Sequence, residues 1–176
     1  MRHTKDDALS RPDTFADLYR RHTGMVYRLC RLSLRSDADA EDAVQSVFLK
    51  LLQHPKQFQD PEHEKAWLIT AARNHCRDLL RSPWRSRRTN WDDLPELSSP
   101  DSAVSDGDTL RALLALPEKY KTLLYLYYYE GYRVRDLSRL LGRKESTLQT
   151  QLAKGRALLK LDLLDLGGML DEEANP

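Results

Sequence analysis

The chemistry of this chain is concentrated where cations stand at helical spacing beside an aromatic side chain. In "AWLITAARNHCRDLLR", residues 66–81, Arg73, Arg77 and Arg81 recur every fourth position, with Thr70 and Asn74 on the same arc and Trp67 at its edge. Arginines at i, i+4 and i+8 make a cationic ridge suited to phosphates. A tryptophan beside such a ridge can stack on a base or wedge into a duplex. On this helix alone, a solvated arginine face with Trp67 half in the core is the plain alternative.

A second constellation lies in "VRDLSRLLGRKESTLQTQLAKGRALLK", residues 134–160. It reads as helix, turn, helix. Val134, Leu137, Leu140 and Leu141 share one stripe, Gly142 supplies the turn, and Leu148, Leu152, Gly155 and Leu159 share the next stripe. Gly155 on that packed face would let another helix approach closely. The opposite arc presents Ser146, Thr147, Gln149, Thr150 and Lys154, with Gln151 and Arg156 beside it. Glutamine pairs with adenine edges, threonine and serine with base edges or phosphates, and lysine with guanine or phosphate. Arg133, Arg135, Arg139 and Arg143 could grip the backbone nearby. A solvated hairpin would need neither the glycine turn nor the excess of eight bases over two acids between Arg133 and Lys160.

The third feature is quieter. In "DAEDAVQSVFLKLL", residues 39–52, Val44, Val47, Phe48 and Leu51 form a core stripe with Ala40 alongside. Asp42, Gln45 and Leu49 point elsewhere. One exposed leucine among polar residues is ordinary, but it can also be the apolar centre of a docking face.

These groups must be held by helices, because no stretch alternates apolar and polar residues as a strand would. A first helix is expected from about Thr14 to Leu34, striped by Phe15, Leu18, Tyr19, Val26, Leu29 and Cys30. A second ends near Gln53. A third runs from about Glu62 to Arg81, facing inward with Leu68, Ala71, Ala72, His75, Cys76 and Leu79. Pro117 opens another, on which Leu123, Leu124, Tyr127 and Tyr128 share a face. Pro55 and Pro61 punctuate a loop.

The chain has 176 residues and a net charge of +1, so no single electrostatic bias defines it. The charges are segregated nonetheless. Residues 73–88 carry six arginines against one acid, and residues 90–110 carry six acids and no base. Two basic surfaces joined by an acidic strap suggest two sites for anions. The expected organisation is all-α: an N-terminal tail (1–12), a helical domain (13–82), a flexible acidic linker rich in Ser, Pro and Asp (83–108), a second helical domain (109–162) and an acidic C-terminal tail (163–176). Cys30 and Cys76 fall on apolar stripes and read as reduced core residues. No signal peptide and no apolar run near the ~18 residues of a membrane span is seen. These features imply no membrane insertion and a cytoplasmic chain. His75 reads as a core histidine, and His22, His54, His63, His75 and Cys76 lack metal-ligand spacing. No metal, cofactor or catalytic residue is implied.

The order "FADLYRRHTGMVYRLC", "DAEDAVQSVFLKLL", "AWLITAARNHCRDLLR", acidic linker and "LPEKYKTLLYLYYYEGYRVRDLSRLLGRKESTLQTQLAKGRALL" resembles bacterial RNA polymerase sigma factors. The likeness is to the extracytoplasmic-function (ECF) group of the sigma-70 family and covers roughly residues 13–161. It implies that the first domain is sigma region 2 and the second sigma region 4. Asp39, Glu41, Asp42, Gln45, Leu49 and Lys50 would then dock on the β′ clamp helices of core RNA polymerase. Trp67, Arg73, Asn74, Arg77 and Arg81 would bind and open the promoter −10 element. The preceding loop, with Lys56, Gln57 and Phe58, would lie where an unstacked base is captured. Arg143, Lys144, Ser146, Thr147, Gln149, Thr150, Gln151, Lys154 and Arg156 would read the −35 element, in a domain that also touches the β flap. The linker would pass through the RNA exit path, and an anti-sigma factor is a further implied partner. Relatives commonly carry bases where this chain has Gln149 and Gln151, and arginine where it has Lys154. That difference predicts a shallower salt dependence and more adenine readout.

Two other classes compete. A dimeric helix-turn-helix regulator would need neither the 39–52 face nor the arginine ridge. A silent adaptor that sequesters polymerase would tolerate Asn74→Ala and Lys154→Ala. An enzyme lacks support: there is no phosphate-binding glycine loop and no nucleophile constellation.

Overall fold

Helix starts are written into the chain as caps. Thr14 opens α1 (Phe15–Ser33) with a reciprocal capping box: its hydroxyl accepts the Asp17 N–H, and the Asp17 carboxylate accepts the Thr14 N–H. Ser36 caps α2 (Asp37–Gln53) by accepting the Asp39 N–H at 3.1 Å. Asp60 caps α3 (Pro61–Arg81), where Pro61 stands in the first turn and its missing N–H costs nothing. The computed structural model describes residues 14–34, 36–82 and 106–165. The expected N-terminal tail, Arg85, Arg87, Arg88, most of the acidic linker and the expected C-terminal tail beyond residue 165 lie outside the described residues, while residues 163–165, expected in that tail, continue the last helix.

After the linker come α4 (Asp106–Ala115), α5 (Glu118–Tyr128), α6 (Val134–Leu141) and α7 (Glu145–Asp165). Gly142 ends α6 at φ 64°, in the left-handed region where a β-carbon would be strained. The described residues are therefore helices and their connections, as the apolar periodicity implies.

Three helices form the first block. Val26, Leu29 and Cys30 of α1 meet Val44, Val47 and Phe48 of α2 and Leu68, Ala72 and Cys76 of α3. Ile69 is also fully buried, although the expected inward stripe of α3 omits it. His75 and Leu79 are only half-buried at the edge of that stripe. The second block is centred on α5, which lies between α1 on one side and α4, α6 and α7 on the other. This position explains a correction. Tyr125 and Leu126 are fully buried, whereas Tyr128, expected on the inner face, is exposed and accepts a hydrogen bond from Arg156 at 3.3 Å. A helix wedged between neighbours buries two faces, so a single stripe understates its core.

Gly155 is the point of closest approach between α5 and α7. An added β-carbon there would stand 3.0 Å from Leu124 Cδ1 and 3.3 Å from Tyr120 Cβ. The expectation that this glycine admits a neighbouring helix is met. One apolar cluster runs through both blocks without a break, from Leu18 to Leu152.

Candidate docking and nucleic-acid interfaces

The first candidate face is on α2. Asp42, Gln45, Leu49 and Leu52 follow one another at helical spacing on its outer side, and all four are exposed. Leu49 and Leu52 are 52% and 54% exposed, so the leucine noted from sequence is half of an apolar pair. Phe15 and Tyr19 of α1 are also partly exposed and lean on Phe48, with ring centroids 6.3 and 4.7 Å away. Glu41 and Lys50 are exposed nearby, and Asp39 is half-buried beside its Ser36 cap. An apolar centre with a charged rim is the anatomy of a protein-docking patch. Leu52 was missed in the sequence because it falls where the helix was expected to end.

The second face is built by α3 and the loop before it. Trp67, Thr70, Asn74, Arg77 and Arg81 make one stripe. Phe58 lies 5.9 Å from Trp67, centroid to centroid, and the Lys56 ammonium stands 5.7 Å from the Trp67 ring. The loop residues and the helix tryptophan thus form one aromatic-cationic corner. Gln57 is exposed beside it. Arg77 donates to the Asn74 carboxamide oxygen at 2.9 Å, which orients the amide. A crevice of about 190 Å³ between α2 and α3 is lined by Lys50, Trp67, Thr70, Asn74, His75 and Asp78 among others. Burial pushes the pKa of His75 down in this crevice, Asp78 opposing and Lys50 reinforcing.

Arg73 departs from the outer arc drawn for it. It is half-buried. Burial lowers its pKa, and the positive charges of Arg143 and Arg77 add to the effect.

Two polar clusters support this face. Glu64, in the first turn of α3, is buried and accepts from Arg21 at 2.9 Å and pairs with His22 at 2.6 Å, both on α1. Asp37 accepts from Tyr27 at 3.1 Å and from Arg31, tying α2 to α1. Cys30 and Cys76 are free, buried neighbours, and their mutual hydrogen bond, with burial, pushes the Cys30 thiol pKa up.

The third face is on α7 and the turn before it. Arg143, Lys144, Ser146, Thr147, Gln149, Thr150, Lys154 and Arg156 are all exposed. Gln151 is half-buried and accepts from Arg143 at 3.2 Å, so it positions that guanidinium as well as reaching outward. Thr150 bonds back to the Ser146 carbonyl at 3.0 Å, leaving its methyl outward. Among the described residues no group of His, Cys, Asp or Glu gathers to hold a metal ion, and no helix is long and apolar enough to cross a membrane.

Comparison with known proteins agrees with this geometry. The Sigma-70 region 2 model matches residues 18–86, and the Sigma-70 region 4 model matches residues 107–159. The ECF RNA polymerase sigma factor SigL of Mycobacterium tuberculosis is 32% identical over 158 residues, covering 85% of this chain and 89% of SigL. SigM of the same organism is 30% identical, covering 82% of this chain and 74% of SigM. Among solved structures, the sigma factor RpoE of Bartonella quintana, in complex with the anti-sigma factor NepR, shares the fold. Its TM-score is 0.68 at 19% identity, covering 85% of this chain and 96% of that one. CnrH in complex with the cytosolic domain of CnrY shares it with a TM-score of 0.58 at 21% identity, covering 88% and 89%. With both family regions matched in order, and relatives at this identity spanning most of its length, the chain belongs to the ECF group of RNA polymerase sigma factors.

Proposed function

We propose that this chain is a promoter-specificity subunit with no catalytic centre of its own, and that its three exposed faces divide the work. Residues 13–82 serve as region 2 and residues 109–162 as region 4, joined by the 83–108 linker. The α2 face, Asp39, Glu41, Asp42, Gln45, Leu49 and Lys50, docks on core RNA polymerase, with Leu52 extending its apolar centre. The corner of Lys56, Gln57, Phe58 and Trp67 captures a base drawn out of the duplex at the −10 element, and Arg73, Asn74, Arg77 and Arg81 hold its backbone. Unstacking a base step costs a few kcal/mol, and stacking on an aromatic group returns about 1–3 kcal/mol per base. The α7 face reads the −35 element: Gln149 and Gln151 suit adenine edges, and Arg143, Lys144, Lys154 and Arg156 suit phosphates and guanine.

The observation that carries this reading is the separation of chemistries. The α2 stripe is apolar and acidic, which fits a protein partner and repels DNA. The α3 and α7 faces are cationic and polar. A dimeric operator-binding regulator has no use for the first face. An inhibitory partner of the anti-sigma kind would have to cover the α2 stripe or the DNA faces.

The test is run-off transcription with purified bacterial core polymerase on the chain's own upstream region. Defined transcripts that disappear with Asp42→Arg or Leu49→Asp are the expected result, with pull-down of core lost in the same variants. Absence of any binding to core would overturn the reading.

A further inference from the structure

Along its first two turns α7 supplies no cation of its own. From Glu145 to Leu152 the sequence carries one acid and no base, and its outward residues, Ser146, Thr147, Gln149 and Thr150, are neutral. Lys154 and Arg156 follow only in the next turn. Yet a guanidinium stands beside this neutral arc. Arg143 lies in the turn before the helix, and its Nη1 donates to the carboxamide oxygen of Gln151, on the second turn of α7, at 3.2 Å. The turn thus lends the helix a positive charge that the helix sequence lacks there.

Arg143 is held at three points. Its N–H donates to the Ser138 carbonyl at 3.2 Å, and its own carbonyl accepts the Ser138 hydroxyl at 2.6 Å, so α6 fixes its backbone. Gly142, left-handed at φ 64°, makes the turn that brings these groups together. Gln151 fixes the side chain, although Arg143 itself is exposed. Holding a long side chain still costs rotamer freedom. Attraction of a charge to phosphate does not need that restraint, whereas recognition of a base edge depends on direction. The bond to Gln151 uses Nη1 and leaves the Nε–H and Nη2–H pair whole. Two parallel donors of this kind match the O6 and N7 acceptors that guanine shows in the major groove. Gln151 is committed in the opposite sense. Bidentate reading of adenine takes both the amide N–H and the carbonyl oxygen, and here the oxygen already accepts from Arg143. Gln151 is also half-buried, while Gln149 is exposed.

We propose that Arg143 chooses guanine at one position of the −35 element, and that Gln151 is its positioning residue rather than a reader of adenine. The inference rests on the reading of α7 as a promoter-recognition helix and reassigns one side chain within it. Gln149 keeps the adenine edge. Gln151 acts on DNA only through the guanidinium that it holds.

The test selects sequences from a duplex library randomised over the −35 element, with the full chain assembled on core polymerase. The parent chain should enrich guanine at one position. Arg143→Ala should reduce that preference about tenfold. Arg143→Lys keeps the charge and loses the fork, so it should lose the preference equally while retaining the salt dependence. Gln151→Ala should weaken the same preference about threefold, as loss of one orienting hydrogen bond implies, and leave every adenine position unchanged. Gln151→Glu, whose carboxylate still accepts from the guanidinium, should restore the choice of guanine even as its charge lowers affinity for all sequences alike. Replacing the guanine by 7-deazaguanine removes the N7 acceptor, and should weaken binding of the parent but not of Arg143→Ala. Circular dichroism of each variant verifies that the helices persist. If Gln151→Ala relaxes an adenine position instead, Gln151 is itself the reader and the proposal fails. If Arg143→Ala weakens all sequences alike, Arg143 is a phosphate contact and the proposal fails. A parent chain that selects no sequence overturns the promoter-reading assignment of α7 and the proposal with it, whereas a selected sequence indifferent to Arg143 overturns the proposal alone.

Discussion

In the N-terminal block the helices are stitched by directional polar bonds: buried Glu64 of α3 reaches across to buried His22 and to the more exposed Arg21 of α1, and half-buried Asp37 of α2 to Arg31 and Tyr27. In the C-terminal block the corresponding seam is closed mainly by close contact, Gly155 of α7 against Leu124 and Tyr120 of α5, with one exposed hydrogen bond from Arg156 to Tyr128 at its edge. Directional bonds fix the angle and register of α3, which carries the Trp67 corner proposed to capture a base. Small-residue packing fixes only the distance of α7, which leaves most of its described polar side chains exposed, Gln151 being half-buried. The first block is built for a demanding geometry, the second for an open surface.

The sharpest way to break this contrast is Glu64→Ala. It leaves buried His22 without its hydrogen-bond partner while the exposed Arg21 turns to solvent, and an unsatisfied buried polar group costs about 1–3 kcal/mol. Chemical denaturation should show that loss, and hydrogen exchange should place it in α1 and α3. Glu64→Gln should cost less, because the amide oxygen still accepts one bond. If both variants are as stable as the parent, buried charge is not what holds this block.

Gly155→Val attacks the other seam. With Tyr120 Cβ 3.3 Å from the new β-carbon, and backbone-anchored rather than free to swing away, overpacking should cost about 2 kcal/mol. The damage should appear as faster exchange in α5 and α7, with α1–α3 affected less. An equal loss in all helices would mean that the blocks unfold as one unit through their continuous apolar cluster.

How much of this was legible in the residues differs between the two blocks for a physical reason. Gly142 and Gly155 announce themselves, because a left-handed turn and a close helix approach each demand a missing side chain at one position. The apolar stripes of α1, α2 and α7 follow from local periodicity. Glu64 gave no such sign: its partners lie 42 and 43 residues away, and a carboxylate in a first helical turn reads as a dipole-favoured surface group. The same distance problem hid the contact of Lys65 with Glu130, 65 residues apart. Asp42, Gln45 and Leu49 on α2 and the outer arcs of α3 and α7 could be chosen from spacing, since exposure is the complement of the stripe, whereas Asp39, Glu41, Lys50 and the loop residues Lys56, Gln57 and Phe58 came only from the family resemblance. Arg73 is half-buried rather than fully outward, and the charge of Arg143 that acts on it comes from a segment 70 residues away, which local periodicity does not show.

The contrast extends to how the faces should meet DNA. Lys154→Ala removes a phosphate or guanine contact from α7 and should weaken binding by polymerase holoenzyme to a −35 duplex while lowering the salt slope by about one unit. Gln149→Ala should leave the slope alone and relax the choice of base at one position, at about 1–3 kcal/mol of discrimination. Trp67→Ala on α3 should affect neither quantity, and should instead slow strand opening. Should Trp67→Ala change the −35 salt slope, the division between a melting face and a reading face fails.

The smallest effect separates the blocks by acid. All five histidines lie at or before residue 75, so the C-terminal block has none to titrate. His75 is ordinarily protonated near pH 6.5, but burial depresses its pKa in the folded chain, with Asp78 opposing and Lys50 reinforcing. As the pH falls below that value, the unfolded chain takes up a proton that the folded chain refuses. Stability then falls with pH until the folded imidazole also protonates, and below that point the loss is complete. His75→Gln keeps the size and polarity and removes the proton site. The stability difference between parent and variant should therefore change between about pH 7.5 and about pH 5.5, in the direction that favours the variant at the acid end. Hydrogen exchange should locate the change in α2 and α3. A pH-independent difference would show that the crevice around His75 is wetter than its packing implies, and that the N-terminal block is no more sensitive to acid at this position than its partner.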